Sequence, residues 1–334
     1  MSSIRKTPAV VFTGERQVAV QEISLPEMGP KDVLIEIEYS GISIGTERWC
    51  LTGQMHAPGQ PLMTPFPHLP GYQAAVTVID IGADITSVQP GDRVFSIGMT
   101  VENWPGSCWG GHAAYHLTTD DFVVKLADNV TTKAGANLLL AQVGYNGGSR
   151  PWLKPNDTVV VIGEGLVGQF AGQVLRSRGA HVIMSGLMPS RLALAARYSA
   201  DEVYNAAEVD FPALMRERFP NGVAVAVEAT GNMGMVRAAL NMLEYSGQLV
   251  LNAYYPEGEC LLDIHWIRAA ETTVHCPNAT KRDRLEQAQA LLSSGAMHSE
   301  ALTTHVVPFA DAAQAYQTIL DPTADYLGIV LQWK

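Results

Sequence analysis

Residues 157–186 read DTVVVIGEGLVGQFAGQVLRSRGAHVIMSG, and no other stretch restricts the possible folds as strongly. An apolar β-branched run enters a glycine turn, a helical period follows, and a second apolar run closes the segment. Gly163 permits a tight turn, Gly165 allows a pyrophosphate to approach the backbone, and Gly168 allows helix and strand to pack closely. Leu166 and Val167 open the helix, whose unpaired N–H groups and dipole make a local anion site. A local device is needed because 33 acids against 22 bases give a net charge of -11, which gives no reason to expect a polyanion such as nucleic acid as partner.

The second strand of such a unit ends beside the adenosine ribose, where an acid bonds the 2′-hydroxyl. Here that end carries Ser185 and Gly186, then Ser190 and Arg191, with no acid following the strand. A 2′-phosphate meets no repulsion from these residues, and Arg191 is able to pair with it. NADP is therefore the expected cofactor, with NAD possible. Thr230 in VEATG and Asn252 in LVLNAYY are counted among the expected cofactor contacts.

The 334 residues suit two domains with a ligand cleft, and 47% apolar with 16% charged residues suit a folded core. The first third alternates apolar and polar residues between Gly and Pro punctuation and reads as an antiparallel, barrel-like domain over 1–121. From 122 to 285 helical periods alternate with buried strands, which predicts a doubly wound parallel sheet. Residues 286–334 have strand, helix, strand character and return to the first domain. No apolar run nears the roughly 20 residues needed to span a bilayer, and MSSIRKTPAVVF lacks a signal-peptide core, so a cytoplasmic location is expected. The four cysteines, Cys50, Cys108, Cys260 and Cys276, are far apart and read as free thiols.

SGISIGTE, PGYQAAVTVIDIGADITSVQPGDRVF, GGHAAY, GEGLVG and VEATG together resemble the medium-chain dehydrogenase/reductase superfamily along nearly the whole chain. The resemblance implies an α/β protein with a GroES-like β-rich catalytic domain and a Rossmann domain, an NAD(P)-dependent reaction on a small molecule, and a homodimer. Within the superfamily, GISIGTE, PGY and the terminus LTTHVVPFADAAQAY resemble the zinc-lacking 3-hydroxyethyl bacteriochlorophyllide dehydrogenases. Gln73, where an acid is usual, departs from that pattern.

Zinc-dependent members carry Cys-Gly-Ser/Thr-Asp and Gly-His-Glu, where this chain has Ile44 and the run Gly71, Tyr72, Gln73. No zinc is expected. His56, His68, His112 and His116 are close in sequence, but they read as surface or core-edge histidines. Bound zinc lowers the pKa of its water from about 15.7 to about 7, on the order of 12 kcal/mol of proton affinity that a zinc-free enzyme must replace or avoid needing.

The resemblance puts Thr46 where the family hydroxyl contacts the substrate oxygen. Tyr72, a phenol with an ordinary pKa near 10, would donate to a carbonyl, and Glu47 would orient the hydroxyl or take its proton. Each has a structural alternative: Tyr72 fills the volume of histidine and zinc, Thr46 binds the nicotinamide ribose, and Glu47 pairs with Arg48 or another arginine. An alcohol on a conjugated ring is an easy substrate, and the aromatic segments NWPGSCW and AYY suit a large apolar pocket or, equally, a core. Three activities follow: a zinc-independent secondary alcohol dehydrogenase, a zinc-free quinone or enoyl reductase, or an NADP-binding protein without catalysis.

Overall fold

The computed structural model describes residues 6–56, 59–101, 103–255, 260–278 and 280–334. The chain forms two compact units, Met1–Leu139 with Ser299–Lys334, and Leu140–His298. They change over further along the chain than the 121/122 and 285/286 read from the sequence.

The first unit begins β1 (Lys6–Gly14), β2 (Gln17–Ser24), β3 (Asp32–Gly41), α1 (Ile44–Leu51), β4 (His68–Leu69), β5 (Ala74–Ile81), β6 (Arg93–Ser96), β7 (Ser107–Cys108), β8 (Tyr115–Thr119), β9 (Val123–Lys125) and α2 (Thr132–Gly135). β9 bonds to β6 with Val94 opposite Lys125, and these ladder bonds keep residues past 121 in the first unit. The second unit runs α3 (Leu138–Ser149), β10 (Thr158–Ile162), α4 (Leu166–Ser177), β11 (His181–Gly186), α5 (Pro189–Tyr198), β12 (Glu202–Asn205), α6 (Phe211–Arg218) and β13 (Val223–Glu228). It ends with α7 (Met233–Leu240), β14 (Leu243–Leu251), α8 (Ile264–Ala269), β15 (Thr273–His275) and α9 (Arg282–Ser294), and β16 (Thr303–Pro308), α10 (Ala312–Leu320) and β17 (Gly328–Gln332) complete the first unit.

In the first unit β2-β1-β4-β7 form one sheet, and β16-β17-β3-β5-β6-β9 form the other, with β8 also paired to β3. The C-terminal β17 lies antiparallel to β3, with Leu331 opposite Ser40. α10 places Ala312, Ala315, Tyr316 and Ile319 at helical spacing on its buried face, against Phe12, Val33 and Ile35 of the core. Such full burial contributes about 1.5–3 kcal/mol for each large apolar side chain.

In the second unit the strand order is β12-β11-β10-β13-β14-β15 and every pairing is parallel. β10 is apolar without interruption because both of its faces are covered: Val159 and Val161 enter one core, Val160 and Ile162 the other. The strand order reverses beside β10, and in such sheets ligands bind outside the carboxyl ends of the strands at that point. Among the described residues no helix is long and apolar enough to cross a membrane.

Candidate active site

In the first unit the loop leaving β3 turns into α1 at Ser43, the residue before the helix. Its side chain does not cap the helix; instead the Ser43 N–H donates to Glu47 Oε1 at 2.7 Å. This ties the carboxylate to the turn that carries it. Glu47 is fully buried, and the groups on its carboxylate are not arginines. Its Oε2 accepts from the Tyr316 hydroxyl and lies 3.0 Å from His112 Nε2. The other nitrogen, His112 Nδ1, is 2.7 Å from Ser40 Oγ, which also accepts from Trp333 Nε1 at 2.8 Å. An internal carboxylate is tolerated because each oxygen has donors.

Gly71 makes room for this arrangement: its φ is +82°, and a Cβ there would lie 2.6 Å from His112 Cδ2. The next residue, Tyr72, donates its hydroxyl to Ser43 Oγ and meets Trp109 edge-on at a ring separation of 5.4 Å. Burial pushes the phenol up to about 12, partly offset by contacts with the Ser43 and Thr46 hydroxyls. Three hydroxyls from Ser43, Thr46 and Tyr72 thus gather at the start of α1, with Thr46 partly exposed. Gln73, fully buried, donates to the Gly41 carbonyl at 3.2 Å.

The expectation of surface or core-edge histidines is corrected, since His68, His112 and His116 are all buried. His68 Nδ1 is 2.8 Å from Ser107 Oγ and its ring packs on Phe12 and Trp109; burial pulls its pKa down to about 4. His116 sits in the interior with no hydrogen-bond partner on either nitrogen, and burial lowers it to about 3. The aromatic segment around 104 is structural here: Trp104 Nε1 donates to the Pro67 carbonyl at 3.0 Å and Trp109 packs on Tyr72. Among the described residues no group of three His, Cys, Asp or Glu is arranged to hold a metal ion.

In the second unit the glycine turn connects β10 to α4. Gly163 has φ +111°, and a Cβ on Gly168 would fall 1.9 Å from the Gly163 carbonyl oxygen, so strand and helix close together only without side chains there. A Cβ on Gly165 would meet nothing within 4 Å, which leaves the backbone open beside the unpaired N–H groups of α4. Leu166 is buried under the turn and Val167 partly so. Ser185 is buried, its carbonyl taking the Gly163 N–H at 2.8 Å, while Ser190 is exposed and Arg191 partly buried.

The premise that no acid stands at the end of the second strand is also corrected. The acid comes from the glycine turn: Glu164 Oε1 accepts the Leu187 and Met188 N–H groups, each at 3.1 Å, just past β11. At the end of β13 the buried Glu228 accepts from the Thr230 and Gly231 N–H groups at 2.7 and 3.1 Å, and from the Thr230 and Tyr255 hydroxyls. Thr230 is thereby fixed, and Asn252 follows β14 with its N–H on the Glu228 carbonyl at 2.8 Å and its side-chain Nδ2 buried without a partner. Sequence reasoning did not find Ser43, His112, Tyr316, Glu164 or Glu228. The available signals were an acid inside the glycine turn facing a glycine at the strand end, and a histidine in GGHAAY.

Residues 29–128 match the alcohol dehydrogenase GroES-like domain, and residues 167–294 match the zinc-binding dehydrogenase domain. The chain is 30% identical to the 2-desacetyl-2-hydroxyethyl bacteriochlorophyllide A dehydrogenase of Cereibacter sphaeroides, covering 98% of this chain and 99% of that one. An Escherichia coli oxidoreductase/dehydrogenase of unknown specificity shares the fold with a TM-score of 0.86 at 21% identity, over 98% of this chain and 99% of that chain. So does a Sinorhizobium meliloti 1021 protein bound to NADP and assigned as a zinc-binding dehydrogenase, with a TM-score of 0.84 at 20% identity, over 98% and 99%.

Proposed function

We propose, from the premise that this chain belongs to the medium-chain dehydrogenase/reductase superfamily as an NAD(P)-dependent dehydrogenase, that it interconverts a secondary alcohol and its ketone without zinc, on a substrate whose carbinol carbon adjoins a conjugated ring. The observation that carries this reading is the group of hydroxyls from Ser43, Thr46 and Tyr72 at the start of α1, where zinc-dependent relatives place thiolate and imidazole. An aliphatic Ile44 and a phenol pushed up to about 12 do not fit zinc, which needs deprotonated N, S or carboxylate donors.

A bound nicotinamide supplies the hydride acceptor for the alcohol, or the hydride donor for the ketone. The chain handles the accompanying proton. In oxidation Thr46, partly exposed, takes the hydrogen bond of the substrate hydroxyl and passes its proton towards solvent. Tyr72 stays protonated at neutral pH, and by turning its single O–H from Ser43 Oγ to a carbonyl oxygen it acts as the donor in the reductive direction. Glu47, closed off from solvent, is a positioning residue: it holds the Ser43 N–H and thereby the turn on which the hydroxyls stand. The backbone of Gly165, Leu166 and Val167 holds the pyrophosphate, with Thr230 and Asn252 at the neighbouring strand ends.

The similarity to the Cereibacter enzyme supports a hydroxyethyl group on a bacteriochlorophyllide-like macrocycle as substrate. Conjugation spreads the charge that develops when hydride leaves, which lowers the need for a Lewis acid. The reading carries with it a cytoplasmic location and a homodimer. The test is the purified, metal-analysed protein with each nicotinamide cofactor and a panel of benzylic, allylic and hydroxyethyl-tetrapyrrole alcohols, ketones and enones. Ketone formation with less than stoichiometric zinc is expected. Saturation of an enone carbon–carbon bond alone would establish the reductase instead, and cofactor binding without turnover on any member would establish a non-catalytic binding protein.

A further inference from the structure

In the usual dinucleotide fold the acid that reads the adenosine ribose grows from the end of the second strand. Here β11 ends in Gly186, and the space a side chain would need is already filled. A Cβ on Gly186 would lie 2.5 Å from both Cδ and Oε2 of Glu164. The carboxylate of the glycine turn therefore rests on the bare backbone at the position from which a strand-end acid would project.

It is held there firmly. Glu164 is 8% exposed, and Oε1 takes the two N–H groups of Leu187 and Met188 that open the loop into α5. Gln169 Nε2 ties the Glu164 carbonyl, at 3.1 Å, to the Arg191 carbonyl, also at 3.1 Å, so turn and α5 are fixed together. Both of these side-chain bonds from the loop use Oε1, and Oε2 faces the Gly186 backbone with lone pairs available to a hydroxyl.

We propose that Glu164 is the ribose-reading acid of this enzyme, moved from the strand end into the glycine turn, and that it selects NAD(H) against NADP(H). A ribose 2′-hydroxyl donates to Oε2. A 2′-phosphate brings like charge onto a fixed carboxylate and finds the Leu187 and Met188 N–H groups, which would otherwise serve it, already taken. This reverses the preference expected from Arg191, because the acid is invisible when only the residues after the strand are read. The inference rests on the dehydrogenase reading, in that a dinucleotide must bind.

The test is equilibrium binding of NADH and NADPH to the full chain by titration calorimetry, without substrate. Wild type is expected to bind NADH at least tenfold more tightly than NADPH. Glu164→Gln keeps an acceptor for the loop N–H groups and removes the charge, so the ratio should fall at least fivefold. The double variant Glu164→Ala with Gly186→Asp, which returns the acid to the strand end, should restore it. Preference for NADPH in wild type, or an unchanged ratio in Glu164→Gln with native melting, overturns the assignment while leaving the dehydrogenase reading intact. Absence of binding by either dinucleotide overturns both.

Discussion

Glu47 and His112 stand 65 positions apart in the chain and 3.0 Å apart in the structure, with neither side chain reaching solvent. Tyr316, from the C-terminal part of the chain, joins the same carboxylate. One buried acid thus links α1, the segment before β8, and α10.

Removing one member of such a hydrogen-bonded pair leaves a buried polar atom of the other without its partner, which costs about 1–3 kcal/mol. Glu47→Ala and His112→Ala should each destabilise by that order in urea unfolding. A double-mutant cycle should return a coupling energy above about 1 kcal/mol. Additive losses would mean that the two groups do not act as a pair.

The hydroxyls at α1 are separable from this scaffold. Tyr72→Phe keeps the ring on Trp109 and loses the hydroxyl contacts with Ser43 and Thr46, so stability should change by about 1 kcal/mol. Thr46→Val should lower turnover about 10²-fold with Thr46→Ser recovering most of it. If Thr46→Val turns over at the wild-type rate, the proton takes another route.

The glycine turn makes a contrast between two alanine substitutions. Gly168→Ala drives a Cβ into the Gly163 carbonyl and should cost about 1–3 kcal/mol or more of stability, measured by thermal unfolding. Gly165→Ala meets nothing and should leave unfolding nearly unchanged, yet weaken dinucleotide binding at least tenfold by occupying the pyrophosphate approach. Equal effects on both readouts for both variants would remove the distinct roles.

Acid should destabilise the first unit through two histidines. His68 is lowered to about 4 and His116 to about 3 from an unfolded value near 6.5, so between those limits the unfolded chain binds more protons. Stability is full above about pH 6.5 and falls as pH drops towards 4 for His68 and towards 3 for His116, at about 1.4 kcal/mol per pH unit for each proton. Between pH 6.5 and 4.5 the unfolding free energy of wild type should fall more steeply than that of His116→Leu, the variant lacking one proton's slope. Parallel curves would contradict a buried neutral His116.

The parallel sheet was legible because its signals are local: DTVVVI, the three glycines and AHVIMSG each fix a piece of backbone, and the pieces follow one another in the chain. The loop GISIGTE and the substituted run Gly71-Tyr72-Gln73 were legible as a departure from the residue pattern of zinc-dependent relatives for the same reason. The partners of Glu47 were not, since the neighbouring Arg48 was the nearest opposite charge in sequence while His112 and Tyr316 are brought in by sheet register and by α10. The acid beside Gly186 was missed although it lies within the quoted motif. A residue's number says nothing about where its side chain reaches.

What the sequence determined by itself is the β-rich first part, the alternation of helices and strands after it and the glycine turn between β10 and α4, because periodicity and glycine freedom are properties of short segments. Only the tertiary structure decided which groups meet: the Glu47, His112 and Tyr316 cluster and the Glu164 contact with Gly186 arise from elements packing against one another. Electrostatics acts over a few ångströms of space, and neighbours at that range are set by the fold rather than by position along the chain.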